Sequence, residues 1–323
     1  MEIPNKVNSI RIEYSGFLVL TVFFLATLLV SPARAGNISF PPEAIQAMDK
    51  IYAGDPDAAI TFAHLFERSQ PDHPFGYLLE DQARWWKMYC AACEIKSGMV
   101  EAWKRNREPE DDVYLMLADK VIDTAEAQLA KSDTAEMRVY AGIGWNLKAR
   151  VYLLRGENRN VARASIASRA EMLRALQLDP QMSDATTILG IYNYYVDALS
   201  PFVKLLRIFM GIPGGDKALG VKQMEAGMNQ GGFLSVDARF ILARVLRQYD
   251  QQYEQALSDA GPLVARYPHN PLFSLLLGNL NAELGRNAKA SEYFHSALQS
   301  QVPDSACAAR IHDIAKSFLA SLH

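Results

Sequence analysis

The sequence predicts an all-α fold: a helical-repeat superhelix of about six helix pairs, ended by a C-terminal capping helix. Three observations predict it. Small and apolar residues recur with a period of 34 positions, as from Ala256 to Ala290. Glycine and proline punctuate that period at matching points. No segment shows the strict apolar–polar alternation of a half-buried strand. Half of the 323 residues are apolar and 21% are charged, which is a globular and not a disordered composition.

The first 35 residues read as an export leader. Gly16–Val30 is an uncharged run, GFLVLTVFFLATLLV. As a helix it spans roughly 22 Å at about 1.5 Å per residue, short of the roughly 30 Å hydrocarbon core of a bilayer. Lys6 and Arg11 precede it, and Ala33-Arg34-Ala35 before Gly36 is an A-x-A cleavage pattern. We therefore expect a signal peptide over 1–35 and a periplasmic domain over 36–323. The alternative is an uncleaved segment anchored in the inner membrane.

The repeat units follow in order. From Ala47, twelve residues lead to Ala59, four more to Ala63, three to Phe66 and five to Pro71; Gly54-Asp55-Pro56 marks the turn. The second unit is the loosest, with a helix from His73 to about Ile95, a loop through Pro109 and a helix from Glu110 to about Lys131. The third, Ala149 to Pro180, has Tyr152, Gly156 and Ala175 in place and about seven extra residues around Glu157–Asn160. The fourth opens at Gly190 and carries an insertion over 199–216 before a helix N-capped by Asp216. The clearest units are 237–268 and 271–303. In them Arg244, Ala256, Ala260, Leu263 and Pro268 match Gly278, Ala290, Phe294, Ala297 and Pro303, except that Pro303 comes one residue late. A last helix runs from about Pro303 to Leu322. The logic is steric: small residues let paired helices cross closely, glycine ends the first helix, and proline forbids continuation of the second. Each pair leaves an apolar face that only a neighbour covers.

This spacing resembles the tetratricopeptide (TPR) repeat. The middle of the chain carries a more specific likeness: Leu189-Gly190-Ile191-Tyr192-Asn193-Tyr194-Tyr195, Pro201 with Lys204-Leu205-Leu206, and Gly211-Ile212-Pro213-Gly214-Gly215-Asp216-Lys217-Ala218-Leu219-Gly220. These runs resemble an exported bacterial TPR family, distantly similar to the TPR protein 39 and inclusion-body-clearance family, over about Pro71 to Arg286. The resemblance implies a helical-repeat adaptor and supplies no catalytic residues.

Candidate chemistry is sparse. With 33 basic and 36 acidic residues, nothing clusters charge as a nucleic-acid partner demands. Cys90-Ala91-Ala92-Cys93 shares one face of a predicted helix. It reads as packing residues, as a disulfide, or as a redox or metal pair. Glu94 stands where haem attachment needs histidine, and no further ligand pair follows for zinc. Gly211–Lys217 lacks the Ser or Thr, and the preceding strand, of a phosphate-binding loop. The six histidines show no ligand spacing; His73 with Asp72 and Glu80 is the nearest to a metal set and is not read as one. No nucleophile elbow is present. We expect no enzyme, no cofactor and no metal. The tryptophans, Trp85, Trp86, Trp103 and Trp145, read as core.

Binding residues follow from projecting the repeat. The first helix of each pair lines a concave groove, so the candidates are Asn146, Arg150, Asp184, Thr187, Tyr194, Tyr195, Arg244, Gln248, Tyr249, Asn279 and Glu283. Asn, Arg and Tyr suit an extended peptide. The expected function is a non-catalytic scaffold in the cell envelope for a protein or peptide partner. The alternatives are an envelope enzyme or redox protein using Cys90 and Cys93, and a carrier of a small apolar ligand. The apolar insertion Leu199–Met210 reads as a plug of the groove, a dock for a partner helix, or a membrane-surface contact.

Overall fold

The structure, a computed structural model, describes residues 36–96, 99–102, 104–198 and 212–322. The expected leader over 1–35, Trp103 and the apolar insertion over 199–210 lie outside the described residues.

Thirteen α-helices follow one another among the described residues. They form six successive pairs: α1 (Pro42–Tyr52) with α2 (Pro56–Ser69), α3 (Pro74–Ala92) with α4 (Pro109–Leu129), and α5 (Ala135–Leu154) with α6 (Asn158–Leu178). Then come α7 (Ser183–Asp197) with α8 (Lys217–Gln230), α9 (Ser235–Val245) with α10 (Tyr253–Arg266), and α11 (Pro271–Glu283) with α12 (Asn287–Gln299). The last helix, α13 (Ser305–Ser321), packs on α12 and α11. Each helix packs on the next in sequence, as a helical-repeat solenoid does.

Local chemistry fixes the starts. Pro42, Pro56, Pro74, Pro109 and Pro271 occupy first positions, where the missing N–H costs nothing. Side chains cap the first turns: Asp55 accepts from Ala58 N, Asp216 from Leu219 N at 2.9 Å, Asn270 from Leu272 N at 2.9 Å, and Asp304 from Cys307 N at 2.8 Å. Crossings use small residues. A Cβ built on Gly190 would come within 2.9 Å of the Gly220 carbonyl oxygen, and one on Gly220 within 2.7 Å of the Gly190 carbonyl oxygen. Ala59, Ala63, Ala256, Ala260 and Ala290 are completely buried at equivalent crossings.

Three local features differ from the sequence reading. The helix expected to reach Ile95 stops at Ala92; Cys93 turns extended and opens a short hairpin, β1 (Cys93–Lys96) antiparallel to β2 (Met99–Ala102), with Cys93 opposite Ala102. Four-residue strands are too short to produce a readable alternation. The extra residues around Glu157–Asn160 form no inserted loop: α6 begins at Asn158, and the added length is helix. Finally, α9 widens into a π-helical turn over Leu246–Asp250, ended by Gln251 in the left-handed region at φ 55°.

Helices α1, α3, α5, α9 and α11 line the inner side, and the even-numbered α6, α8, α10 and α12 each bury only three or four residues. That inner side is closed on itself. Trp86 of α3 packs 5.3 Å from Phe240 of α9 and 5.7 Å from Phe273 of α11, between ring centroids. Phe75 meets Phe233 at 6.4 Å, and Tyr52 of α1 meets Tyr267 at 5.7 Å. Asn270 donates to the Tyr52 carbonyl at 2.8 Å. A disulfide joins Cys90 of α3 to Cys307 of α13 across 217 positions of sequence. Eleven consecutive residues of α11, Pro271–Asn281, are consequently buried, the pattern of a helix covered on all sides.

Candidate functional site: a tyrosine corner outside a filled inner face

The inner face is held by a buried polar network. Tyr52 donates its hydroxyl to Asp237 at 2.5 Å, and Gln82 Nε2 donates to both Asp237 oxygens at 2.9 and 2.8 Å. Arg150 Nη1 donates to Gln82 Oε1 at 2.9 Å, its Nη2 lies 3.9 Å from Asp237 Oδ1, and its guanidinium sits 5.3 Å over the Trp85 ring. Burial pushes Asp237 above the usual carboxylate range, while the Arg150 charge and the bonds from Tyr52 and Gln82 pull it back. Asp81, fully buried beside this network, is pushed well above its ordinary range by burial.

Most residues expected in an open groove are therefore structural. Arg150 belongs to that network. Asp184 accepts from Phe233 N at 3.2 Å and Leu234 N at 2.8 Å; burial raises it to about 6 against those two donors. Thr187 is buried against Gly227, the Arg244 guanidinium lies 5.4 Å from the Tyr89 ring and 5.6 Å from that of Phe240, and Asn279 is buried. Glu283 pairs with Arg247. Asn146 is half-buried on α5. The projection misplaced the groove because it treats each pair as if its inner side faced solvent. Here the inner sides of α3, α5, α9 and α11 face one another.

The remaining candidates converge at one corner. Tyr194, buried on α7, donates to Asp250 Oδ2 at 2.9 Å and reaches the Val245 carbonyl at 3.2 Å. Its ring centroid lies 5.9 Å from Tyr195 and 6.1 Å from Tyr249, and Tyr195 and Tyr249 stand edge to face at 6.4 Å. Lys217 at the start of α8 pairs with Asp250 and sits 5.4 Å over the Tyr194 ring. Burial, then Asp250, pushes the Tyr194 hydroxyl far above its ordinary value, so it stays a donor. Tyr195 and Tyr249 are 38% and 47% exposed. The π turn carries both Gln248 and Tyr249; such turns are found at functional positions more often than by chance.

No family model matches this chain, and no curated protein matches it.

The structure decides between the readings of the cysteine pair. Cys90 and Cys93 do not bridge each other: Cys90 bonds Cys307, and the Cys93 thiol donates to the Cys90 carbonyl at 3.0 Å. The sequence signal was incomplete, because Cys307 stands alone in sequence. His73 caps α3 through Phe75 N at 3.1 Å and packs on Phe66 and Tyr140. Glu80 instead pairs with His64 at 3.0 Å and with Arg84. Among the described residues no group of His, Cys, Asp and Glu is arranged to hold a metal ion. Trp86 is core, as the sequence implied.

Proposed function

We propose that the protein is a non-catalytic scaffold of the TPR kind, working in the cell envelope, which binds a protein or peptide partner. Tyr195 and Tyr249 form its contact surface. The observation that carries this is the contrast between the two sets of groove candidates: the inner face is occupied by the chain's own side chains, while Tyr195 and Tyr249 keep 38% and 47% of their surface exposed. Rigid aromatic rings give large contact area for little lost freedom. The envelope location is supported by the uncharged run Gly16–Val30 with its A-x-A site and by the Cys90–Cys307 bridge, a bond that persists in oxidising compartments.

The test is affinity capture from the envelope fraction with the full chain and with a Tyr195→Ala/Tyr249→Ala variant of equal stability. The proposal expects a specific partner with the first that is lost with the second. A partner retained at equal yield by both would place binding elsewhere.

A further inference from the structure

We propose that Cys90 is the shared member of two mutually exclusive disulfides, and that exchange between them unlatches the C-terminal helix α13. The structure holds the Cys90–Cys307 form, with Cα atoms 5.1 Å apart. Cys93 stands one helical turn from Cys90. Because α3 is helical through Ala92, the Cα of Cys93 still lies at a helical i+3 position, about 5 Å from that of Cys90 by helix geometry. Both spacings fall in the range a disulfide spans, roughly 4.4–6.8 Å. Cys93 carries a thiol, held one turn away with its sulfur 3.0 Å from the Cys90 carbonyl oxygen.

The exchange needs no external oxidant or reductant. The Cys93 thiol loses its proton, and its sulfur attacks Cys90 Sγ. The Cys90–Cys307 bond breaks as the Cys90–Cys93 bond forms, and Cys307 leaves as a thiolate that takes up a proton. One disulfide and one thiol stand on each side. The fold supplies a safeguard and a consequence. Cys90, Cys93 and Cys307 are all buried, so a soluble thiol reaches none of them easily, whereas the internal thiol is already in place. Once Cys307 is released, α13 is held to α3 and β1 by noncovalent contacts, such as the bond from Arg310 Nε to the Cys93 carbonyl of β1. Its seam with α12 is a groove of about 370 Å³ lined by Ala297, Val302, Ala308 and Ile311. Undocking would expose Phe294, which now stacks on Phe318 at 4.9 Å, and with it an apolar face of the last pair.

The experiment uses the folded full chain with no added reductant. The protein is held at mildly alkaline pH, where thiol–disulfide exchange in general is faster, trapped with iodoacetamide, and mapped by non-reducing proteolysis and mass spectrometry. A Cys93→Ser variant is treated identically, with Cys93→Ala as a second version should serine in that buried site perturb folding. The proposal expects Cys307 to be alkylated roughly tenfold or more faster in the wild type than in either variant. The trapped wild-type product should carry a Cys90–Cys93 bridge and faster hydrogen exchange over residues 305–321. Equal alkylation rates, or a trapped product joining Cys93 to Cys307, would overturn it.

Discussion

Tyr52 and Asp237, 185 positions apart, share a 2.5 Å hydrogen bond in the buried interior. One belongs to the first helix of the stack and the other to the ninth. Nearest-neighbour packing of helix pairs does not require them to meet. Their contact, with Gln82 and Arg150 around it, marks the inner faces of early and late pairs as a common core.

Gly190 and Gly220 set the separation of α7 and α8. A Gly190→Ala methyl would also lie 2.9 Å from Met224 N, a backbone atom that cannot rotate away. We expect this substitution to destabilise by about 1–3 kcal/mol, despite the roughly 1 kcal/mol by which alanine is the better helix former. Urea unfolding checks it; unchanged or raised stability would show that the helices separate at no cost.

Asp184 separates a structural role from a binding one. Removing its carboxylate leaves the amides of Phe233 and Leu234, both 1% exposed, without their acceptor. Asp184→Ala should cost about 2–6 kcal/mol in unfolding free energy, at about 1–3 kcal/mol for each of the two stranded groups. A residue merely displayed for a partner would change stability by less than about 0.5 kcal/mol.

Glu67 predicts a pH dependence. Burial, then the neighbouring Glu80 carboxylate, raises it from 4.5 to about 7. Between those values the folded chain keeps a proton that the unfolded chain has lost. Its contribution is complete below pH 4.5 and disappears as pH rises through about 7. Asp184, raised from 3.8 to about 6, acts in the same sense. His73, lowered from 6.5 by burial, acts in the opposite one. The informative quantity is thus the difference between wild type and Glu67→Gln: the variant should lose less stability between pH 5 and pH 8. Parallel curves would contradict the assignment.

The Cys90–Cys307 bridge closes a loop of 217 positions. The chain-entropy argument puts its stabilisation near the upper end of the usual range, about 5 kcal/mol. Cys307→Ser should lower the denaturant midpoint strongly. A midpoint equal to that of the oxidised wild type would show that the bridge constrains nothing.

What was legible in the sequence was local. Gly54, Asp55 and Pro56 punctuate the first pair, Asn270 and Pro271 the sixth, and the 34-residue spacing of Ala256 and Ala290 locates real crossings, because each of these works through neighbours a few residues away. Closure of the inner face was not legible. It depends on small rotations accumulated over six pairs, and a period in sequence does not record them. The polar residues that closure buries did leave a trace. Asp81, Gln82 and Asp237 stand among apolar residues on first helices, where an open groove would show them to solvent. Cys93 ended a helix for a similar reason: its hairpin with Ala102 is decided by strand pairing, not by propensity within Trp85–Lys96.

The most direct test of the closed interior is a double-mutant cycle on Tyr52→Phe and Asp237→Asn, measured by equilibrium unfolding. Direct contact predicts a coupling energy of about 1–3 kcal/mol. Effects that add to within about 0.5 kcal/mol would mean that the first and fifth pairs do not touch, and that the inner face is open.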